Sequence, residues 1–190
     1  SVMRFAGVTI DTSRDMEFVD HDNDGDLDVL VANRGTVANG GEPSRFYVNL
    51  GGLQQGTVGF FNEDTDARWG ELLSVPLGDQ VFGGNAGPWR TYSCDCDFAD
   101  LDDDGDLDLF HSSYGPNQDG TRPSRIFLND GTGVYDELFP WANPTADIQM
   151  HGSDLDLVDF DGDFDIDIFS SSRSSQARVF MNTLYGSSGT

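Results

Sequence analysis

A segment rich in aspartate occurs three times in the chain, and this repeat constrains the fold more than any other feature. Its copies align without a gap over residues 18–30, 98–110 and 157–169. In each copy aspartate alternates with other residues between two short apolar runs, a pattern that indicates two strands joined by a loop. Internal repetition of this kind indicates that one supersecondary unit is used three times.

The repeat continues after each acidic segment. Arg45, Arg125 and Arg178 each open a short apolar and aromatic run that closes on an asparagine. In the first two copies a glycine turn and another aromatic run follow. Each unit therefore predicts four strands: one entering the acidic loop, one leaving it, the arginine strand and an outer strand. Such units are typical of propeller blades, so we predict an all-β fold of three four-stranded β-propeller-type blades. The three arginines are expected to be counter-charges for neighbouring carboxylates.

The spacing of the aspartates predicts binding sites for a hard cation. Carboxylates at positions 1, 3, 5 and 9 of each loop supply oxygen ligands, position 7 supplies its backbone carbonyl, and glycine at position 6 permits the turn. Six or more oxygen ligands favour Ca²⁺ over Mg²⁺, and zinc is disfavoured because no histidine or cysteine occupies a ligand position. The metal-binding residues predicted in the three loops are Asp20, Asp22, Asp24, Asp26, Asp28, Asp100, Asp102, Asp104, Asp106, Asp108, Asp159, Asp161, Asp163, Asp165 and Asp167.

The third acidic loop departs from this pattern. Phe164 occupies position 6, and the glycine, Gly162, falls two places earlier. We expect a calcium ion in all three loops. A metal-free acidic turn stays open as the alternative, above all for the third loop.

The repeat divides the chain into five segments. They are an N-terminal outer strand (1–14), a first blade (15–66) with calcium loop 20–28, an insertion (67–91), a second blade (92–140) with calcium loop 100–108, and a third blade (141–190) with calcium loop 159–167 and a glycine- and serine-rich tail. The third unit lacks an outer strand, whereas the N-terminal strand belongs to no blade. We expect this spare strand to complete the last blade, either in the same chain or in a neighbouring subunit by strand exchange.

The net charge of the chain limits the classes of molecule that it can bind. Among 190 residues, 34 are acidic and 10 are basic, which gives a net charge of −24. So acidic a surface would repel nucleic acid and anionic membranes, and we exclude both as partners. No apolar stretch approaches the roughly 18 residues of a membrane span, so membrane insertion is not expected. The chain begins without an initiator methionine or a secretory leader, from which we expect a processed or cropped product.

The loops and strands together resemble the FG-GAP/VCBS family of calcium-binding propeller repeats, which is related to the head of integrin alpha chains. Segment 49–52 followed by Phe60 and Phe61, and segment 129–133 followed by Tyr135, are similar to the ending Asn-x-Gly-x-Gly-x-Phe of that family. The resemblance implies an extracellular or periplasmic location, a structural calcium ion, and a role in adhesion, ligand binding or support of attached enzymes.

Three blades with a spare strand at one end predict head-to-tail self-assembly into an extracellular filament or surface layer. One alternative is a slice of a longer propeller. Another is an adhesion module that binds carbohydrate or protein through the insertion (67–91) and the loop 113–122. The aromatic candidates for such a surface are Trp69, Trp89, Tyr114 and Trp141.

Catalysis is not expected. The three histidines, His21, His111 and His151, are predicted to have surface or turn roles, and the chain has no nucleophile elbow, phosphate loop or zinc-protease motif. Cys94 and Cys96 stand two apart on a predicted strand, so a bridge between them would be strained. Two free, half-buried thiols are the preferred interpretation.

Overall fold

A computed structural model of the chain describes residues 4–5, 12–34, 42–52, 55–68, 90–91, 93–113, 124–138, 152–172 and 176–182. Within these ranges the fold is all-β, as predicted. The strands, in chain order, are β1 (Arg4–Phe5), β2 (Ser13–Val19), β3 (Asp28–Asn33), β4 (Glu42–Pro43), β5 (Arg45–Asn49), β6 (Phe60–Glu63), β7 (Arg90–Thr91), β8 (Ser93–Ala99), β9 (Asp108–Ser113), β10 (Arg125–Asn129), β11 (Tyr135–Glu137), β12 (Gly152–Val158), β13 (Asp167–Ser172) and β14 (Arg178–Phe180). One short helix, α1 (Thr65–Arg68), follows β6.

Most of the strands form three sheets, one for each copy of the repeat, and within each repeat unit the strands run antiparallel. Among the described residues the first sheet has the order β2-β3-β5-β6-β1, the second β8-β9-β10-β11 and the third β12-β13-β14, while β4 and β7 form a separate two-stranded sheet. In each repeat unit the acidic loop joins the first two strands. The first hairpin also has the same irregularity each time, since the register shifts between Ser13 and Asp15, between Ser93 and Asp95, and between Gly152 and Asp154. The repeat in sequence is therefore a repeat in backbone register.

The sheets pack against one another through their apolar faces. Leu30 and Phe46 of the first sheet form one buried cluster with Leu109 and Tyr135 of the second. A second cluster joins the other side of the second sheet to the third. Strand β8 contacts both β2 and β12, so the second sheet lies between the other two. Burial of each large apolar side chain contributes about 1.5–3 kcal/mol, which makes these joints the main source of tertiary stability.

The N-terminal strand does not lie where we predicted. Arg4 and Phe5 pair in parallel with Phe60 and Phe61 of β6, at the outer edge of the first sheet. The prediction that this strand completes the third sheet within the same chain is therefore wrong for the described residues. The physical reason is that β6 leaves an edge of unpaired backbone groups within reach of the chain's start, and such an edge accepts another strand.

Other predicted segments are described only at their ends. In the insertion (67–91), residues 67 and 68 lie in α1, and Arg90 and Thr91 form β7, which pairs with β4. The rest of the insertion and the tail after residue 182 lie outside the described residues. In the described part of the chain, no helix is long and apolar enough to cross a membrane.

Candidate metal centres

The aspartate at position 1 folds each acidic loop back on itself. In the first loop Asp20 accepts hydrogen bonds from the backbone N–H groups of Asp24 (2.9 Å) and Gly25 (3.0 Å). In the second loop Asp100 accepts them from the N–H groups at the same two positions, at 3.1 and 3.0 Å. One carboxylate thus binds two successive backbone donors, and this holds the loop closed around its centre.

Two positions in each loop have a left-handed backbone. Position 6, where the turn was predicted, has φ 89° at Gly25, 96° at Gly105 and 78° at Phe164. Position 4 is left-handed as well, and it carries Asn23 and Asp103 in the first two loops. Asparagine and aspartate tolerate this conformation better than other residues with side chains. The spacing of the aspartates alone does not predict this second left-handed position.

The third loop has the same two left-handed positions, but its glycine stands at position 4 instead of position 6. Gly162 takes position 4 with φ 82°, and Phe164 takes position 6 with its side chain 87% exposed. Asp159 accepts hydrogen bonds from the N–H groups of Gly162 (2.6 Å) and Phe164 (3.1 Å). The loop therefore closes in spite of the bulky residue, whose ring points into solvent.

The aspartate at position 9 is buried and is held by the asparagine that ends the arginine strand. Asp28 accepts a hydrogen bond from the backbone N–H of Asn49 at 2.7 Å. The same bond joins Asp108 to Asn129 (2.9 Å) and Asp167 to Asn182 (2.7 Å). These asparagines recur in the sequence at the end of each arginine strand, but the pattern alone does not indicate this bond. Each fixes a predicted ligand to the neighbouring strand.

Each loop brings together carboxylate oxygens that lie within 4.8 Å of one another and could hold a metal ion. The groups are Asp20, Asp22 and Asp24 in the first loop, Asp100, Asp102 and Asp108 in the second, and Asp159, Asp161 and Asp167 in the third, with Asp22 and Asp28 also grouped around His21. The side chains of Asp26, Asp104, Asp106, Asp163 and Asp165 are not in these groups. For position 7 this agrees with a ligand that acts through its backbone carbonyl.

Buried oxygen atoms in the first two loops lack a hydrogen-bond donor. Both carboxylate oxygens of Asp26 and one of Asp102 are buried without a hydrogen-bond partner among the described residues. Oδ2 of Asp28 also makes no hydrogen bond of good geometry, although the ring nitrogen Nε2 of His21 lies 3.3 Å from it. A buried carboxylate oxygen without a donor is costly and calls for a counter-charge. A bound cation would supply that charge, so the residues present fit a metal ion.

The pKa values of the buried aspartates in the metal-free loops also favour a bound cation. Burial raises the pKa of Asp28 to about 7, against the lowering effect of the Asn49 hydrogen bond and with repulsion from Asp22, Asp26 and Asp24. Burial likewise raises the pKa of Asp108 to about 6. Carboxyl groups with raised pKa values are ones whose charged form lacks compensation. A divalent cation would remove that penalty.

His21, at position 2 of the first loop, is buried and does not have the surface or turn role that we predicted. Its ring packs near Phe46 and Tyr135, at 5.4 and 6.2 Å between ring centroids, and its Nε2 lies 3.3 Å from Oδ2 of Asp28. Burial, and then the charge of Arg68, lower its pKa to about 3, so the ring is neutral. His21 therefore belongs to the joint between the first two sheets.

His111 is also buried, which again contradicts a surface role. Its Nε2 lies 3.1 Å from the hydroxyl of Ser44 and 2.8 Å from that of Ser93, and the two hydroxyls are 3.0 Å apart. Burial lowers its pKa to about 4. Because the whole group is sealed from solvent, it stabilises the joint between sheets and offers no reactive surface.

The other residues singled out in the sequence are the two cysteines, the strand-opening arginines, the aromatic candidates and the third histidine. Cys94 and Cys96 are free thiols, as predicted, the first half-buried and the second fully buried. Arg45 lies 3.9 Å from Glu63, in keeping with a role as counter-charge. The aromatic candidates for ligand binding and the third histidine lie outside the described residues; they are Trp69, Trp89, Tyr114, Trp141 and His151.

Comparisons with known proteins add no relative to this description. None of the family models searched matches the chain, and no curated protein matches it.

Proposed function

We propose that this chain is a calcium-binding structural protein of the extracellular space, built from propeller-type blades of the FG-GAP/VCBS kind. The observation that carries the proposal is the threefold recurrence of a closed acidic loop in which carboxylate oxygens converge. The buried oxygens of Asp26, Asp28 and Asp102 that lack a donor support a bound cation rather than a solvated acidic turn.

Calcium is the cation that this donor set favours. The ligands are hard oxygen atoms from carboxylates and a backbone carbonyl, and their number suits the larger and less demanding Ca²⁺ better than Mg²⁺. Contrary to the expectation that no histidine occupies a ligand position, His21 lies in one of the described groups that could hold a metal, but the other groups consist of carboxylates alone. The ion supplies positive charge and no reaction step, and we expect no catalysis.

The first two loops lie where sheets meet, which gives the ion a structural role there. The side-chain amide of Asn129 in the second sheet donates to the backbone carbonyl of His21 in the first loop at 2.8 Å. Asn182 of the third sheet donates in the same way to Leu101 in the second loop at 2.9 Å. Closing a loop therefore also fixes the backbone carbonyl that accepts the hydrogen bond from the next sheet. At free calcium about a hundredfold above the dissociation constant, each site adds about 2.7 kcal/mol.

An extracellular location follows from the supply of calcium. Sites in extracellular modules often operate at roughly 10⁻⁴–10⁻³ M Ca²⁺. Repulsion between the clustered carboxylates lowers the affinity of each site for calcium, and sites of lower affinity need a calcium concentration in this range. Within the proposal, the chain would fold fully on reaching a calcium-rich medium.

Head-to-tail self-assembly into a filament or surface layer completes the proposal. The row of sheets has two different ends, and a contact between unlike ends generates an open assembly unless a rotation closes it. In the single chain, Arg4 and Phe5 pair with β6 over two residues only. In an assembly, the N-terminal strand would instead add to the third sheet of a neighbour.

Imaging of the purified chain tests this proposal. We expect filaments or layers by electron microscopy in millimolar calcium and their loss on adding a chelator. A variant with Asp22→Asn and Asp102→Asn should assemble poorly at the same calcium concentration, because two loops lose a ligand charge. Isolated small particles at every calcium concentration would rule out self-assembly.

A further inference from the structure

We propose that His21, Asp22 and Asp28 form a binding site for a divalent transition metal of the zinc class, beside the calcium site of the first loop. One ligand atom from each of these residues lies within 4.8 Å of the other two. The site goes beyond the proposed calcium-binding role, because one of its donors is a nitrogen and because it belongs to one loop alone.

The aspartate at position 9 has different neighbours in the first loop. In the second and third loops this residue, Asp108 or Asp167, groups with the aspartates at positions 1 and 3. In the first loop Asp28 groups with Asp22 and with the ring of His21, while the aspartates at positions 1, 3 and 5 form a group of their own. The first loop therefore offers two sets of ligands, which share Asp22.

A hydrogen bond that the other loops make is missing at Asp28. In the second loop the backbone N–H of Leu101, at position 2, donates to Oδ2 of Asp108 at 2.8 Å. In the third loop the N–H of Phe160 donates to Oδ2 of Asp167 at the same distance, 2.8 Å. Oδ2 of Asp28 accepts no hydrogen bond from the described residues. This oxygen is therefore available to another ligand or ion.

The ring of His21 is directed at that oxygen. Its Nε2 lies 3.3 Å from Oδ2 of Asp28, but the two atoms do not form a hydrogen bond of good geometry. Two ligands of one tetrahedral zinc ion, each about 2.1 Å from the metal, lie about 3.4 Å apart. The separation of Nε2 and Oδ2 therefore fits two ligands of one ion.

The imidazole of His21 is buried without hydrogen-bond partners. His21 is 0% exposed, and neither ring nitrogen has a partner in the part of the chain that the structure describes. An unpaired polar atom in the interior is costly. Packing does not require a nitrogen at this position, since the equivalent Leu101 is 6% exposed at the next joint between sheets. A metal ion bound to Nε2 would compensate for the burial of the ring.

The other ring nitrogen faces away from Asp28. Nδ1 lies against Gly133, in the turn between β10 and β11, where any side chain would collide with the ring. Nη1 of Arg68 lies beside the same glycine. The charge of Arg68 is already paired with Asp64, at 2.8 Å. Nε2 is therefore the nitrogen that the loop can use, and the neighbouring arginine has its own carboxylate.

One imidazole and two carboxylates favour a transition metal over calcium. Calcium takes oxygen ligands, whereas imidazole nitrogen suits zinc and its neighbours in the first transition series. Three protein ligands with an open fourth position are a common arrangement around zinc. His21 and Asp28 are buried and Asp22 is half-buried, so the open position lies on the side of Asp22. Zn²⁺ is therefore the appropriate probe.

Titration with zinc in the presence of calcium tests the site. The metal-stripped chain is brought to millimolar Ca²⁺ and titrated with Zn²⁺ in a calorimeter. We expect one zinc ion per chain in the parent and at least tenfold weaker binding in His21→Leu. Leucine stands at this position in the second loop, so the variant keeps an apolar residue that such a joint accepts. Cys94→Ser is the matched control, because it removes a half-buried thiol that could also bind zinc, and it should bind like the parent.

X-ray absorption at the zinc edge gives a second readout that needs no variant. One imidazole nitrogen among oxygen ligands, without sulfur, is expected for the parent, and oxygen or sulfur ligands alone would overturn the site. If calcium raises the melting temperature but zinc does not bind, or binds equally well to a folded His21→Leu, the zinc site is wrong and the proposed function stands. If zinc binds through His21 but calcium leaves the melting temperature unchanged, the proposed function fails and the zinc site stands.

Discussion

At the scale of single residues, Phe164 marks the place where the third loop differs from the other two. It adopts φ 78°, a conformation that glycine holds at the same position in the first and second loops. For a residue with a side chain, the left-handed conformation costs roughly 1–2 kcal/mol. Its exposed ring recovers little of this by burial, since it is 87% exposed.

Phe164→Gly is therefore expected to stabilise the chain relative to Phe164→Ala by about 1 kcal/mol. Both variants remove the ring, and only the first removes the backbone penalty. Thermal unfolding in saturating calcium measures the difference. Calcium titration should also show tighter binding at the third loop in the glycine variant. Equal melting temperatures for the two variants would show that the loop carries no such penalty.

The convergence of carboxylates in each loop could be predicted because spacing decides which side chains of a tight loop face its centre, although Asp104 and Asp163 at position 5 lie outside the groups that could hold a metal. What supports those ligands could not be predicted in the same way. Asn129 holds Asp108 from a strand that lies 21 residues away in the chain, and it also reaches the preceding sheet. His21 packs against Phe46 of the first sheet and Tyr135 of the second. Such contacts depend on how sheets pack, which a single-sequence pattern does not contain.

At the scale of elements, the inner strands β2, β8 and β12 bring carboxyl groups close together. Burial, and then repulsion from Glu17, Asp156, Asp15 and Asp154, raise the pKa of Asp97 to about 7. Burial also raises the pKa values of Glu17 and Asp95. Together with Asp28 and Asp108 in the loops, these groups hold more protons in the folded state than in the unfolded one.

The metal-free chain should therefore become more stable as the pH falls from 8.5 to 6.5. For an acid whose folded pKa is raised, the stabilising contribution is full below the unfolded pKa near 4 and is lost as the pH rises through the folded value near 7. Melting temperature against pH in a chelator measures this. Asp97→Asn should raise the melting temperature at pH 8.5 and weaken the pH dependence, whereas Asp66→Asn, at an exposed residue of α1, should leave both unchanged.

Below pH 6.5 the two buried histidines oppose this trend. Their pKa values are lowered to about 3 for His21 and about 4 for His111, so their contribution is present above pH 6.5 and is lost as the pH falls toward 4. Stability of the metal-free chain should then pass through a maximum in the weakly acidic range. A melting temperature that falls steadily from pH 8.5 to 6.5 would contradict the assignment of these carboxyl groups.

The strands themselves were predictable, since the apolar runs and turns repeat with the acidic loops. Two elements are exceptions, the N-terminal strand and helix α1. The missing outer strand of the third unit predicts that the N-terminal strand completes that sheet, in the same chain or in a neighbouring subunit, yet within the single chain Arg4 and Phe5 add to the first sheet. A sequence pattern shows that an edge is open and that a strand is spare, but it does not state which of two open edges the strand will reach. The helix α1 is a single turn, too short to give a periodic signal.

At the scale of the whole molecule, a net charge of −24 opposes a compact fold, and the first two acidic loops concentrate part of that charge at the joints between sheets. The loops of the first and second sheets carry the carbonyl to which the following sheet is bonded. Bound calcium would thus relieve repulsion at the points where the sheets depend on one another. In this account the metal stabilises the row of sheets as a unit.

Thermal unfolding with matched divalent ions tests this claim most directly. The purified chain is stripped with a chelator, dialysed, and melted in the absence of metal, in millimolar magnesium and in millimolar calcium, with calorimetric titration to count the sites. The account predicts a clear rise in melting temperature with calcium, a much smaller one with magnesium, and three calcium ions per chain. A melting temperature that is the same with calcium and with chelator, together with no measurable binding heat, would contradict it.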